Sequence, residues 1–458
     1  MRQPQLAPDA AWKQRFRVPM TFADIAHADP SRGLAASNRS GVFQLYAWDV
    51  ASGALNQLTD VAKGKAFGAI SPDGRWVYYL HDHDGDEIGH FVRLPFAGGP
   101  PEDITPDLPA YASFNIASAL EGSRLAIVAA SNDGFNLYAI DLGPDGQLGA
   151  PRHLLTTPKF VAGLSLSPDG GLAALALNER SETFQMNLVV VDAGSGARLA
   201  ELWDGAGTSI NLTGFAPGSG DTRVLAVSDR TGAKRPLVWD ARSGERRDLD
   251  LGDLEGEVEA WGWSHDGSAV LLCHVRNAVP QLYRYELATD ALRKLAHPGG
   301  TFWGGSFASG DEIFAHWTDA THPPQVVALD AHTGALKRTL LSGGDVPPGR
   351  LWRSVSFPST EGATIQGWLA VPEGEGPFPT ILETHGGPTG ATQEEFSAGA
   401  QMWLDHGYAF LTINYRGSTS FGKAFEQAIY GDLGRLEVDD MVAARDFLLR
   451  ERIAQPDS

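Results

Sequence analysis

A short apolar segment, Pro379-Thr-Ile-Leu-Glu-Thr384, runs directly into His385-Gly386-Gly387-Pro388. The chemistry open to such a turn is stabilisation of a developing oxyanion. A backbone N–H can be aimed at a negatively charged oxygen there, and glycine keeps a Cβ out of the way. The plainer reading is a strand-end turn with no catalytic use. What surrounds the turn decides between the two.

The elements that must hold it are short strands alternating with helices. Val355 to Pro372 reads as a hairpin with its polar turn at Glu361-Gly362, and Gly374 to Pro379 as a loop. Thr380 to His385 is a buried strand. Glu394 to His406 is predicted to form a helix, with Gly407 as its stop. Tyr408 to Asn414 is a second continuous apolar strand, suited to a sheet covered on both faces. Asp439 to Arg450 is predicted to be a helix with Val438, Met441, Ala444 and Leu448 on one side. This alternation predicts a doubly wound sheet.

The preceding part of the chain is repetitive. Ser71-Pro-Asp-Gly74 returns as Ser167-Pro-Asp-Gly170 and Ser264-His-Asp-Gly267, each followed by an apolar strand. Weaker copies carry Gly33, Gly122, Gly220 and Gly310. The spacing is about 40–50 residues, the range of propeller blades. A second turn keeps step: Asp49-Val-Ala-Ser-Gly53, Asp192-Ala-Gly-Ser-Gly196, Asp240-Ala-Arg-Ser-Gly244 and Asp330-Ala-His-Thr-Gly334. Short strands with Gly or Asp turns are hairpins. Seven in-step copies predict an all-β, seven-bladed β-propeller with four strands per blade.

Composition narrows the function classes. The 56 acidic against 36 basic residues give a net charge of −20, which disfavours nucleic acid and anionic membranes as partners. Cys273, the single cysteine, lies in an apolar run and reads as a buried structural thiol. Neither an N-terminal leader nor a run of about 18 apolar residues is visible, so a cytoplasmic location is expected. His81-Asp-His-Asp-Gly-Asp-Glu87 resembles a metal loop, but Glu87 and Arg93 occupy the positions where an EF-hand needs Gly and Glu. It reads as a solvated hairpin turn. No metal and no cofactor is expected.

Five motifs in order behind the propeller resemble the prolyl oligopeptidase family of serine peptidases. They are Gln366-Gly-Trp-Leu369, His385-Gly-Gly-Pro388, Asn414-Tyr-Arg-Gly-Ser418, Phe421-Gly422 and Gly431-Asp-Leu-Gly-Arg-Leu-Glu-Val-Asp-Asp440. The resemblance implies a propeller followed by the N-terminal part of an α/β-hydrolase domain. It divides the chain into an N-terminal extension, 1–20, a propeller, 21–345, and an incomplete catalytic domain, 346–458. It also implies that Gly387 donates its N–H to the oxyanion, that Gly386 permits the turn and that His385 braces it. Asn414 to Ser418 would support the site from below, with Arg416 holding loops together. In the extension, Trp12 and Phe16 would anchor a helix on the hydrolase part.

The family's remaining machinery is expected beyond residue 458. No Gly-x-Ser-x-Gly occurs in the chain, and Ser458 lacks the flanking glycines of a nucleophile. About 150–200 further residues would complete the sheet, and this part alone is expected to be inactive. The implied activity is hydrolysis of short peptides through a Ser-Asp-His triad, of acylaminoacyl-peptidase type, with the propeller limiting substrate size. The dipeptidyl form is disfavoured, because no paired Glu precedes Glu394-Glu395. The alternatives are a carboxypeptidase, an esterase and a scaffold with a non-catalytic hydrolase half. A carboxypeptidase would need Arg180, Arg230 or Arg235 for the terminal carboxylate. A homo-oligomer is compatible with all of these.

Overall fold

The computed structural model describes residues 5–387 and 389–456; Pro388 of the turn and Ser458 lie outside them. Seven antiparallel meanders of four consecutive strands follow one another over 21–57, 69–103, 111–157, 161–202, 210–248, 258–294 and 301–341. They are the blades of the propeller.

Local side-chain chemistry sets the turns. Ser71 Oγ donates to Asp73 at 2.6 Å and accepts the Trp76 N–H at 2.9 Å. The same pair of bonds recurs at Ser167, Asp169 and Leu172, and at Ser264, Asp266 and Ala269. The glycine that closes each turn is left-handed, with φ of 68°, 75° and 67° at Gly74, Gly170 and Gly267. The second turn type is an Asp that accepts the N–H three residues on, as Asp49 does from Ser52 and Asp192 from Ser195.

Apolar side chains of neighbouring blades interdigitate at every seam. Leu172, Val190, Leu237 and Trp239 fill the fourth seam, for example. Each blade is a contiguous piece of chain, so no strand is exchanged where the ring closes. Blades 7 and 1 are joined by packing of Val326, Ala328 and Leu340 on Tyr46, Trp48 and Val50. The Ala23 N–H also donates to His316 Nε2 across that seam, at 2.9 Å. Blade 2 is irregular. Its innermost and outermost strands are two residues each, Ala69–Ile70 and Glu102–Asp103. Its third strand consequently reaches past the short outer one and pairs with Tyr111 and Ala112 of blade 3.

The C-terminal sheet has four strands in the order Arg353–Pro358, Thr364–Ala370, Ala409–Asn414, Thr380–Thr384. The last two are parallel, and the rest pair antiparallel. The described residues also form four α-helices: α1 (Ala11–Phe16), α2 (Ala398–Asp405), α3 (Lys423–Gln427) and α4 (Leu436–Arg450). On the free edge beside Thr380–Thr384, Phe378 and Ala454 form one parallel bridge. Helix α4 covers the sheet with Ala444, Phe447 and Leu448. Val438, expected on that side, is exposed instead.

Two further expectations differ from the structure. Helix α2 starts at Ala398, not Glu394, because blade 7 takes the backbone ahead of it. Thr301 Oγ1 donates to the Glu394 carbonyl at 2.6 Å, and the Phe396 N–H donates to Thr318 Oγ1 at 3.2 Å. Ser397 then caps the helix by accepting the Ala400 N–H. In the N-terminal segment, α1 does pack on α2, but its buried anchor is Arg15. Arg15 binds Asp405 at 2.5 Å and the carbonyls of Pro347 and Pro348 at 3.0 and 2.9 Å. Trp12 lies edge-on to His406, while Phe16 is exposed.

Blades 6 and 7 carry the C-terminal sheet. Asn277 and Ala278, in the turn between the second and third strands of blade 6, donate to the carbonyl and hydroxyl of Ser420, both at 2.9 Å. The same turn of every blade lies on this face of the ring, as do the starts of the inner strands. Gln401, fully buried on α2, donates to Ala320 of blade 7 and to Arg350.

Candidate active site

The His385 turn leaves the edge strand Thr380–Thr384 and is held at both ends. At its start, the Tyr415 hydroxyl donates to the His385 carbonyl at 3.0 Å. The two rings stack, with centroids 4.7 Å apart and planes 19° from parallel. Ser418 donates its hydroxyl to the Tyr415 carbonyl at 2.6 Å, leaving its oxygen to accept His385 Nε2–H at 2.7 Å. Burial, with a smaller effect from the nearby Glu437 charge, holds the Tyr415 phenol above its ordinary range. It therefore remains a donor at neutral pH.

The far end is tied by Asn414, which is fully buried. Its carboxamide accepts the Thr392 N–H at 2.8 Å and donates to the Thr392 carbonyl at 3.0 Å. Trp368 Nε1 donates to the same carbonyl, and the Thr419 N–H donates to Gly390. The loop from 385 to 392 is thus clamped on side chains of the Asn414-to-Ser418 segment and its neighbours.

Between the clamps Gly387 has φ 134°, a conformation that favours glycine. A Cβ there would sit 2.7 Å from the Thr389 nitrogen. A Cβ on Gly386 would meet open space. The steric demand of the turn therefore rests on Gly387. A peptide N–H fixed in this way needs little reorganisation to meet a developing negative charge.

Arg416 anchors the platform through α4 and not through the loop. Its guanidinium and N–H bind Asp440 of α4 at 2.8–3.2 Å, and both residues are buried. Ser359 donates to the same carboxylate at 2.5 Å, and Arg416 Nη2 donates to Thr360. Asp440 is the residue whose role is least visible in sequence, since an acidic residue on a helix reads as solvent-facing.

Arg180, Arg230 and Arg235 lie at turns on the propeller face that meets the C-terminal sheet. Arg180 holds Glu201 in a fork at 2.7 and 2.6 Å, and Arg230 holds Asp248. Arg235 donates from one Nη to the Leu254 carbonyl at 2.8 Å, and its other Nη is buried without a partner. Among the described residues, none of the three is hydrogen-bonded to the His385 turn. Among the described residues no three His, Cys, Asp or Glu side chains group as metal ligands. No helix among them is long and apolar enough to cross a membrane.

Residues 394–458 match the model of the prolyl oligopeptidase family. The chain is 22% identical over 429 residues to dipeptidyl aminopeptidase BIII of Pseudoxanthomonas mexicana, covering 87% of this chain and 59% of that protein. It is 36% identical over 73 residues to acylamino-acid-releasing enzyme 1 of rice, Oryza sativa subsp. japonica, covering 16% of this chain and 9% of that one. The chain thus spans less than two thirds of the length of these relatives. A puromycin-hydrolyzing peptidase of Mycobacterium tuberculosis has the same fold, with a TM-score of 0.74 at 18% identity, over 99% of this chain and 75% of that one. Residues 394–458 are thus similar in sequence to the prolyl oligopeptidase family, and the propeller with its C-terminal sheet has the fold of a puromycin-hydrolyzing peptidase.

Proposed function

We propose that the intact protein is a serine-type peptidase of the cytoplasm that hydrolyses short peptides by acyl transfer, in the manner of acylaminoacyl peptidases. Gly387 donates its N–H to the tetrahedral oxyanion, Gly386 permits the turn and His385 braces it. The extension 1–20 packs on the catalytic part 346–458, and the propeller 21–345 limits substrate size. The serine, acid and histidine of the triad are not among residues 1–458 and are supplied elsewhere in the intact protein. The single observation that carries this reading is a left-handed glycine fixed between the Tyr415 and Asn414 clamps, at an open strand end beside a propeller face.

The test uses protein expressed from the intact gene. A fluorophosphonate probe should label one serine, and N-acetylalanyl p-nitroanilide should be cleaved faster than the free-amine dipeptide p-nitroanilide. Preference for the free-amine substrate would move the protein to the dipeptidyl class of its Pseudoxanthomonas relative. Cleavage of p-nitrophenyl esters alone would make it an esterase, and absence of labelling would leave the scaffold reading.

A further inference from the structure

Blade 2 leaves a hole in the propeller face. Its innermost strand is the two-residue piece Ala69–Ile70, where blade 3 has the eight-residue Tyr111–Ser118. The missing half-strand uncovers the second and third strands behind it. The result is a cavity of about 750 Å³ between blades 1, 2 and 3, walled by Val42, Phe43, Phe67, Leu80, Phe91 and Phe114. It lies on the face that meets the C-terminal sheet, since its walls include the second turns of blades 1 and 2 and the start of the inner strand of blade 3.

Two of these rings are unusually bare. Phe67 is 82% exposed and Phe114 73%. An aromatic side chain left this open has no packing role in the blade, and an apolar concavity with a few polar groups is the usual form of a ligand site. The one charged pair in the wall, Lys65 with Asp82, is internally neutralised. Lys63 and Glu87 on the lining are of opposite sign. The cavity therefore selects for apolar groups and carries no net charge that would recruit an ionic one.

The cavity is also connected to the seam with the C-terminal sheet. Phe43 stacks with Phe22 of blade 1, centroids 6.3 Å apart, and Phe22 meets Trp303 of blade 7 at 6.4 Å. Trp303 is two residues from Thr301, whose hydroxyl binds the Glu394 carbonyl. A row of aromatic rings thus runs along the rim from the cavity to blade 7, ending two residues from the threonine that binds the segment after the His385 turn.

Resting on the peptidase reading, we propose that this cavity is a remote substrate subsite. It receives one large apolar side chain, aromatic by preference, of a peptide whose scissile bond lies at the His385 turn. The subsite would make the protein a peptidase of oligopeptides that carry such a residue away from the cleaved bond.

The test uses the intact protein and internally quenched peptides with a common cleavage site. A single Phe replaces Ala at successive positions outside the two residues flanking that bond. One position should raise kcat/KM, through KM. Phe67→Ala and Phe114→Ala should each reduce that Phe-over-Ala selectivity about tenfold, the scale of losing an apolar contact. Phe184→Ala, an equally bare ring on blade 4, should leave it as in the wild type. Equal kcat/KM for all peptides, or the same loss in Phe184→Ala, would overturn the subsite. Fluorescence anisotropy of a labelled Phe-containing peptide separates the two claims. Binding weakened by Phe67→Ala without any cleavage keeps the subsite and removes the peptidase reading. Cleavage with a selectivity indifferent to Phe67 does the reverse.

Discussion

Tyr415 touches His385 twice, with its ring against the imidazole and its hydroxyl on the backbone carbonyl. The second contact fixes the peptide plane from which the glycine turn departs. Tyr415→Phe keeps the stack and removes only that bond. A neutral hydrogen bond is worth about 0.5–1.5 kcal/mol. For the proposed peptidase, the expected result is a fall of roughly threefold to tenfold in kcat of the intact protein, with KM unchanged and the melting temperature lowered only slightly. Steady-state kinetics on an acyl-amino p-nitroanilide reads it, and a change confined to KM would contradict it.

Gly387→Ala forces a Cβ against the Thr389 backbone in a left-handed conformation. The loop must swing away, and the N–H leaves the aim proposed for it. Loss of one oxyanion donor costs about 10²–10³ in kcat. Gly386→Ala, whose Cβ enters open space, should cost far less. Comparable losses in the two variants would show that the donor is not at Gly387.

Asp440→Asn leaves the Arg416 guanidinium buried beside a neutral amide. Breaking a buried pair on one side destabilises by about 3–5 kcal/mol. Chemical denaturation followed by circular dichroism should show an earlier transition in the C-terminal sheet. Arg445→Ala, which removes an exposed pair with Asp446, should move it by less than about 1 kcal/mol.

The blade 7 to blade 1 seam should be sensitive to acid. His316 accepts the Ala23 N–H, so it is neutral in the folded ring. Burial lowers its pKa from 6.5, and the Asp24 carboxylate opposes that shift only in part. The unfolded chain then binds the proton more readily than the folded one. The stabilisation is complete above 6.5 and is lost as pH falls towards the lowered value. Thermal melts from pH 7.5 to 5 should show a declining midpoint, with a shallower decline in His316→Gln.

The parts of this fold that were legible in the sequence are those made by local chemistry. Ser71, Asp73 and Gly74 close their turn with bonds inside six residues, so the motif reports its own geometry wherever it recurs. The alternation that places Thr380–Thr384 beside Ala409–Asn414 is equally local. What was not legible depends on partners far along the chain. Glu394 to Phe396 has a helical pattern but gives its backbone to Thr301 and Thr318. Arg15, not the neighbouring aromatic Phe16, is buried, because three acceptors from 347, 348 and 405 converge on it. The Phe67 cavity arises from a strand that stops short, which no residue type announces. Arg416 was legible as a loop holder, whereas its partner Asp440 gained meaning only from burial.

The ring that carries these parts is cut rather than welded. Because every blade is one uninterrupted stretch of chain, the circle is completed by side chains alone, as in a split washer. An in-frame duplication or loss of some forty-odd residues could add or remove a whole blade without rethreading any other. The circumference is then a matter of shape, set by how well Trp48 and Val326 still meet. Such a ring can change size in one genetic step and spring open at one place, and the blades most exposed to both events are the first and the last.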